Sequence, residues 1–258
     1  YLKINKFGEL NLKYLKKKIN NKTFLVSLMH VNNEIGTIHP IKEIGEICRK
    51  KGIFFHTDGS QSLGKIKLDV NYLNLDFASF SSHKIHGPQG IGCLFIKKRK
   101  DIKITPLLSG GGQENGLRSG TLPTALSVGF GHAVELAEKE RIKNMRKIKN
   151  LKRIFLNKIK KSNIKFILNG KNSVDNNINI TFPEVDGDFL FSKLDNISIS
   201  SGSACGSGSG EPSYVLKELG VNTKYAKSTL RIGISKNNTE HEMLYFASKI
   251  SKILKKNG

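Results

Sequence analysis

The sequence predicts an α/β fold with a mainly parallel sheet, followed by a smaller α+β unit, and three observations carry that expectation. Short apolar runs at residues 24–29 and 53–55 flank an amphipathic stretch, which is the spacing of a right-handed parallel βαβ unit. A third run, Phe77-Ala78-Ser79-Phe80, is aromatic and uncharged, as suits a strand buried on both faces, and it hands the chain to the polar Ser81-Ser82-His83-Lys84. Beyond residue 160 the pattern changes to short strands and short helices without that spacing. The expected boundary divides the chain into residues 1–140 and residues 141–258.

Taken in order, residues 1–23 are polar with Leu12, Leu15 and Ile19 at helical spacing, which predicts a connecting helix. The strand at 24–29 ends in the amide-crowded turn His30-Val31-Asn32-Asn33-Glu34-Ile35-Gly36. Over 40–51, Ile41, Ile44 and Ile47 recur on one face with Cys48 beside them; Pro40 suits the first turn and Gly52 the C-terminal cap. Cys48 on that face reads as a packing residue. The strand at 53–55 ends in a carboxylate, Asp58, followed by turn residues. Gly87-Pro88-Gln89-Gly90 turns the chain into a strand over 91–96, where burial would make the Cys93 thiol unreactive. Residues 109–116 are too glycine-rich for regular structure, and Pro123 then opens a long helix toward Lys161. Strands are expected at 166–168, 178–182, 197–199 and 230–234, with helices at 188–194, 213–219 and 240–256.

The chain holds 43 Lys+Arg against 21 Asp+Glu, a net charge of +22. The lysines are dispersed and lack the interleaved aromatics of a base-stacking platform, so the charge reads as compositional bias and direct nucleic-acid binding is not expected. No apolar run reaches the roughly 18 residues of a membrane helix, and a soluble protein is expected. Three cysteines at irregular spacing give neither a disulfide framework nor a zinc-type pair, which implies a reducing compartment. Tyr1 opens no targeting pattern, and the true N-terminus is expected to lie outside this sequence.

Two neighbouring strands thus end in an acid, Asp58, and an amine, Lys84, at the edge where open α/β sheets bind ligands. A pyridoxal phosphate enzyme needs that pair: the lysine forms a Schiff base, and the acid keeps the pyridine nitrogen protonated. Cys205 lies in SSGSACGSGSG, residues 200–210, a stretch so rich in glycine and serine that it is expected to act as a mobile tether for a nucleophilic thiol.

VSLMHVNNEIG, HTDGSQSLGK, SFSSHKIHGPQGIG, LRSGTLP and SSGSACGSGSGEPSYVL together resemble, in that order, the cysteine desulfurases of the IscS/NifS type, within the class-V aminotransferases. The resemblance begins in what would be the middle of the family's large domain. The part preceding it in the family supplies a glycine/threonine turn for the cofactor phosphate and a side chain that stacks on the pyridine ring. It implies the pyridoxal phosphate-dependent transferase fold of type I, with residues 1–140 as an incomplete cofactor-binding domain and 141–258 as a small domain carrying the cysteine loop. It makes Lys84 the Schiff-base lysine and Asp58 the pyridinium partner, and puts Gln61 on the phenolic oxygen. Ser81 and His83 would contact the phosphate, with Thr121 from a partner subunit, and Asn33 would face the cofactor. Asn33 and Arg231 would hold the substrate carboxylate. His30 and His56 have weaker claims, since strand-end histidines are as often structural.

The implied reaction converts L-cysteine to L-alanine and a persulfide on Cys205. That persulfide is passed to iron-sulfur scaffold proteins and tRNA-thiolation acceptors, and Cys205 would serve as an iron-sulfur ligand through it. A homodimer in the cytoplasm is implied, with a mitochondrial or plastid-type organelle as the alternative. Two rival readings stay open: a selenocysteine lyase-like enzyme of the same superfamily, and a non-catalytic remnant acting as a binding or scaffold subunit.

Overall fold

The computed structural model describes residues 1–201 and 213–255. In chain order the elements are α1 (Leu12–Lys18), β1 (Leu25–Met29), α2 (Ile41–Lys50), β2 (Phe54–Asp58), β3 (Phe77–Ser81), β4 (Gly92–Ile96) and α3 (Thr124–Lys160). There follow β5 (Ile167–Leu168), β6 (Asn177–Thr181), α4 (Gly187–Ser192), β7 (Ser200–Ser201), α5 (Tyr214–Glu218), α6 (Thr223–Ala226), β8 (Thr229–Gly233) and α7 (Glu240–Lys255). They form two bodies, one of residues 20–30 and 40–141, the other of residues 1–19, 31–39 and 142–258. The division after Arg141 lies beside the expected one, but residues 1–19 and 31–39 group with the C-terminal body. Among the described residues no helix is long and apolar enough to cross a membrane.

In the first body, β1, β2 and β3 run parallel and β4 is antiparallel to β3, in the order β1-β2-β3-β4. Helix α2 buries Ile41, Ile44, Ile47 and Cys48, the face its periodicity marks. Phe55 and Ala78 are fully buried on one face of the sheet. On the other face stand Phe54, His56 and Asp58 of β2 beside Phe77, Ser79 and Ser81 of β3, following the two-residue alternation of a strand. There Phe77 is only half-buried, which corrects the expectation of a strand covered on both faces. Its neighbour Phe54 meets it edge-on at 5.9 Å, and Arg99 stacks over Phe54 at 5.2 Å.

Cys93 is also corrected. It lies on the edge strand β4, whose first three residues are exposed, so the residue is exposed and not core. Its thiol is nonetheless pushed up by partial desolvation. Cys48 is buried, and burial pushes its thiol up to about 11, with a smaller contribution from Asp76.

In the second body the sheet is antiparallel throughout, in the order β5-β6-β8-β7. The β6 sequence Asn-Ile-Asn-Ile-Thr sends Ile178 and Ile180 into a core with Leu230, Ile232, Phe155, Ile159, Phe246 and Ile250. Phe155 and Phe246 pack with ring centroids 5.3 Å apart. The intervening Asn177, Asn179 and Thr181 are buried too, so the opposite face of this sheet is covered, and by polar partners. Asn169 donates to both Asn179 and Thr181 at 2.7 Å, and Thr181 bonds Thr229 at 2.7 Å. These pairings offset the burial of Asn169, Asn179, Thr181 and Thr229. The expected N-terminal helix is shorter than predicted, since Asn5 closes a turn at 5–9 and Asn11 caps α1 only afterwards.

Candidate functional site

The first body brings the acid and the amine to the same edge. Asp58 closes β2 and pairs in register with Met29 of β1 and Ser79 of β3. Its carboxylate accepts from the Ser60 amide at 2.8 Å, which fixes it at the strand end. The next residue must be small: a Cβ on Gly59 would lie 2.3 Å from the Phe80 ring. Ser62 donates to the Gly59 carbonyl at 3.0 Å and tightens the same turn, in which Gln61 is half-buried.

At the end of β3 the chain enters a single 3-10 turn, Ser82–Ile85. Ile85 is buried with Phe130 and Ala133 of α3 and anchors that turn, leaving His83 and Lys84 exposed. Ser81 Oγ lies 3.4 Å from His83 Nδ1. His56, two residues before Asp58, is bracketed by Ser27 at 2.7 Å and Ser79 at 3.2 Å. Burial lowers its pKa, with Asp58 opposing, so the ring is biased toward its neutral form beneath the acid. His30 is buried, and its amide donates to the Asp58 carbonyl at 2.9 Å. Thr121 is exposed ahead of α3.

A second amine stands near Lys84. Lys65 follows Gly64, whose turn lies against Ile85 and Ala137. Burial, and secondarily the charge of Lys84, push the Lys65 amine down to about 8. The unfolded chain holds this proton up to an ordinary lysine value and the folded chain releases it near 8, so stability rises with pH across that interval. Lys65→Met is therefore expected to raise the thermal transition at pH 7, with the gain shrinking between pH 8 and about 10.5. Melting curves at pH 7 and pH 10 check this; a loss of stability that is equal at both pH values contradicts it.

Asn33 and Arg231 both belong to the second body. Asn33 is half-buried in a turn locked by Asn32, whose side chain accepts from the amides of Glu34 and Ile35 at 2.9 and 3.0 Å. Arg231 sits on β8 between Asn179 of β6 and Ser200 of β7, and its Nε donates to Ser200 Oγ at 3.0 Å. The structure thus groups Asp58, Gln61, Ser81, His83 and Lys84 on one body and places Asn33 and Arg231 on the other. Cys205 lies outside the described residues, as does its suggested place as an iron-sulfur ligand. Among the described residues, no group of three or more His, Cys, Asp or Glu side chains is placed to hold a metal ion. Lys65 and Glu34 were not singled out in the sequence, although both stand inside the quoted motifs. The only local hint was an ionisable side chain inside a turn of small and amide residues.

A profile of the aminotransferase class-V family matches residues 1–246. The chain is 48% identical over 259 residues to a protein of Rickettsia africae (strain ESF-5) named cysteine desulfurase IscS, covering 98% of this chain and 63% of that protein. Among solved structures, a NifS-like protein superimposes with a TM-score of 0.88 at 34% identity, covering 99% of this chain and 67% of the other. A structure described as SspA in complex with cysteine gives a TM-score of 0.77 at 36% identity, covering 93% and 67%.

Proposed function

The chain belongs to the class-V aminotransferase family, and from that premise we propose that the protein is a pyridoxal phosphate-dependent cysteine desulfurase acting on L-cysteine. The observation that carries this reading is the delivery of Asp58 and Lys84 to the C-terminal ends of adjacent parallel strands. The donor set suits the cofactor chemically. It comprises an exposed amine for an aldehyde, a fixed carboxylate for a pyridinium, and the Ser81 hydroxyl with the His83 imidazole for a phosphate.

Bound pyridoxal phosphate would supply the electron sink for charge developing at the substrate Cα. Lys84 would hold the cofactor through its aldehyde carbon and is the base placed to take and return the substrate Cα proton. Asp58 would keep a proton at the pyridine nitrogen, and Gln61 would meet the phenolic oxygen. Ser81 and His83, with Thr121 of a second copy, would hold the phosphate. Asn33 and Arg231 hold the substrate carboxylate, the arginine by its planar fork. The Cys205 thiolate attacks the substrate sulfur; the sulfur–sulfur bond forms as the Cβ–S bond breaks, and the carbon product gains a proton to leave as L-alanine. The persulfide then goes to acceptors in iron-sulfur cluster assembly and tRNA thiolation. The widely spaced thiols fit a reducing compartment, the cytoplasm or an organelle, and the role given to Thr121 of a second copy calls for a homodimer.

Asp58→Asn is expected to retain the visible absorbance of the bound cofactor while slowing exchange of the substrate Cα proton by about a hundredfold or more, since an amide cannot keep the ring nitrogen protonated. Proton exchange followed by NMR, alongside alanine release, checks this. Near-normal alanine release by the variant contradicts the assignment.

A further inference from the structure

Lys152 of α3 is an amine that the mechanism above leaves unused, and the fold surrounds it with acceptors. The residue is half-buried. Its Nζ donates to Ser173 Oγ at 3.2 Å and to the carbonyls of Val174 and Asn177 at 3.3 and 3.2 Å. An ammonium has three protons and no acceptor, so these bonds use all it has to give. Burial pushes the pKa of this amine down, with the charge of Asp175 opposing, and the three acceptors offset the cost of taking the charge out of water. All three belong to one short segment, residues 173–177, which runs into β6.

That segment is one wall of the turn that carries Asn33. The Val174 amide donates to the Gly36 carbonyl at 2.9 Å and the Ile38 amide to the Asn172 carbonyl at 3.0 Å, on either side of the Thr37–Ser173 bridge. The Asn177 and Asn179 side-chain amides donate to the Glu34 carbonyl at 3.0 and 3.2 Å. The two segments approach so closely that a Cβ on Gly36 would lie 3.2 Å from the Asn177 Cβ and 3.3 Å from the Ser173 Cβ. Gly36, at φ +73°, also lets the chain fold back there. Asn32 shapes the turn from within, and residues 172–179 set its place. Lys152, Asn33 and both segments lie in the same body.

We propose that Lys152 is a positioning residue for substrate binding: its ammonium holds residues 173–177 against the 31–38 turn and so keeps Asn33 in place for the carboxylate of L-cysteine. The inference rests on the reading of Asn33 as a carboxylate ligand. Without the ammonium, the Val174 and Asn177 carbonyls lose a charged donor and the wall of the turn loosens. Lys84 and Asp58 belong to the other body and keep their own bonds, so the loss should appear in the binding of substrate and not in the chemical step.

The test uses Lys152→Met, which keeps the length and the apolar stem but donates nothing, and Lys152→Arg, which keeps the charge and the donors. Hydrogen exchange at the Ile38 and Val174 amides is expected to quicken about tenfold or more in Lys152→Met and to stay within about threefold of wild type in Lys152→Arg. In the enzyme loaded with pyridoxal phosphate, KM for L-cysteine should rise about fivefold or more in Lys152→Met with kcat within about threefold, and Lys152→Arg should restore most of the affinity. In an Asn33→Ala background, Lys152→Met should add less than about twofold to KM, because the residue it positions is gone. If Lys152→Met fails to fold, Lys152→Gln carries the same measurements, since its amide keeps two donors without the charge, and exchange should then quicken about threefold or more. Unchanged exchange at both amides overturns the proposal, as does an unchanged KM in Lys152→Met or a full rise in KM in the Asn33→Ala background. If Asn33→Ala alone leaves KM unchanged, the reading of Asn33 fails instead, while the exchange measurement still decides whether Lys152 holds the turn.

Discussion

Lys84→Ala is expected to abolish the borohydride-reducible adduct with pyridoxal phosphate and its visible absorbance, and to lower alanine formation by at least about a thousandfold. The size follows from the two roles lost together, covalent attachment and the Cα base. The structure makes this a demanding test, because Lys65 offers a second amine near Lys84 with its pKa lowered to about 8. That amine gives up its proton more readily than an ordinary lysine, but it is half-buried in the turn after Asp58, whereas Lys84 is exposed at the end of β3. Exposure and placement are the grounds on which Lys84 is proposed. Mass spectrometry of the reduced protein should find the cofactor on Lys84 in the wild type and on no lysine in the variant; an adduct on Lys65 in wild type would reverse the assignment.

Cys205→Ser is expected to remove persulfide and sulfide production to background while leaving the cofactor spectrum intact, since an alkoxide is no substitute for a thiolate toward sulfur. The described thiols are poor replacements. Cys48 is buried with its thiol pushed to about 11, so at pH 8 roughly one molecule in a thousand carries the thiolate. Cys93 is exposed on the edge strand β4, which makes it the competitor to exclude, although desolvation raises its pKa as well. Cys93→Ser is the control: it should retain persulfide formation within about twofold, as expected for an exposed strand position. Sulfide release measured on both variants, with absorbance spectra recorded in parallel, separates loss of the nucleophile from loss of the cofactor.

The first body was legible because its signals are local. Ile41, Ile44 and Ile47 between Pro40 and Gly52 mark α2, and the abrupt change from Phe80 to Ser81-Ser82-His83-Lys84 marks the end of β3. In the second body the alternation of asparagine and isoleucine in β6 marked the strand, but not that its polar face would also be buried. What stayed hidden depends on partners remote in the chain. Residues 91–96 read alike as a central or an edge strand, and only the pairing of β4 with β3 alone exposes Cys93. Residues 31–39 join the C-terminal body through contacts such as the Thr37–Ser173 bridge, which no local pattern announces. Glu34 finds its hydrogen-bond partner in Ser213, 179 positions away. The four-residue helix α6 is too short for any periodicity to show.

Under the proposed function one thiol, Cys205, takes sulfur from L-cysteine with the help of Lys84 and Asp58. The most direct measurement incubates the protein and pyridoxal phosphate with L-cysteine labelled at sulfur, omits reductant, and locates the label by peptide mass spectrometry. The account predicts one added sulfur on the peptide containing Cys205, released by dithiothreitol, with L-alanine formed in equal amount. Label on Cys93, or label on Cys205 without alanine, would contradict it.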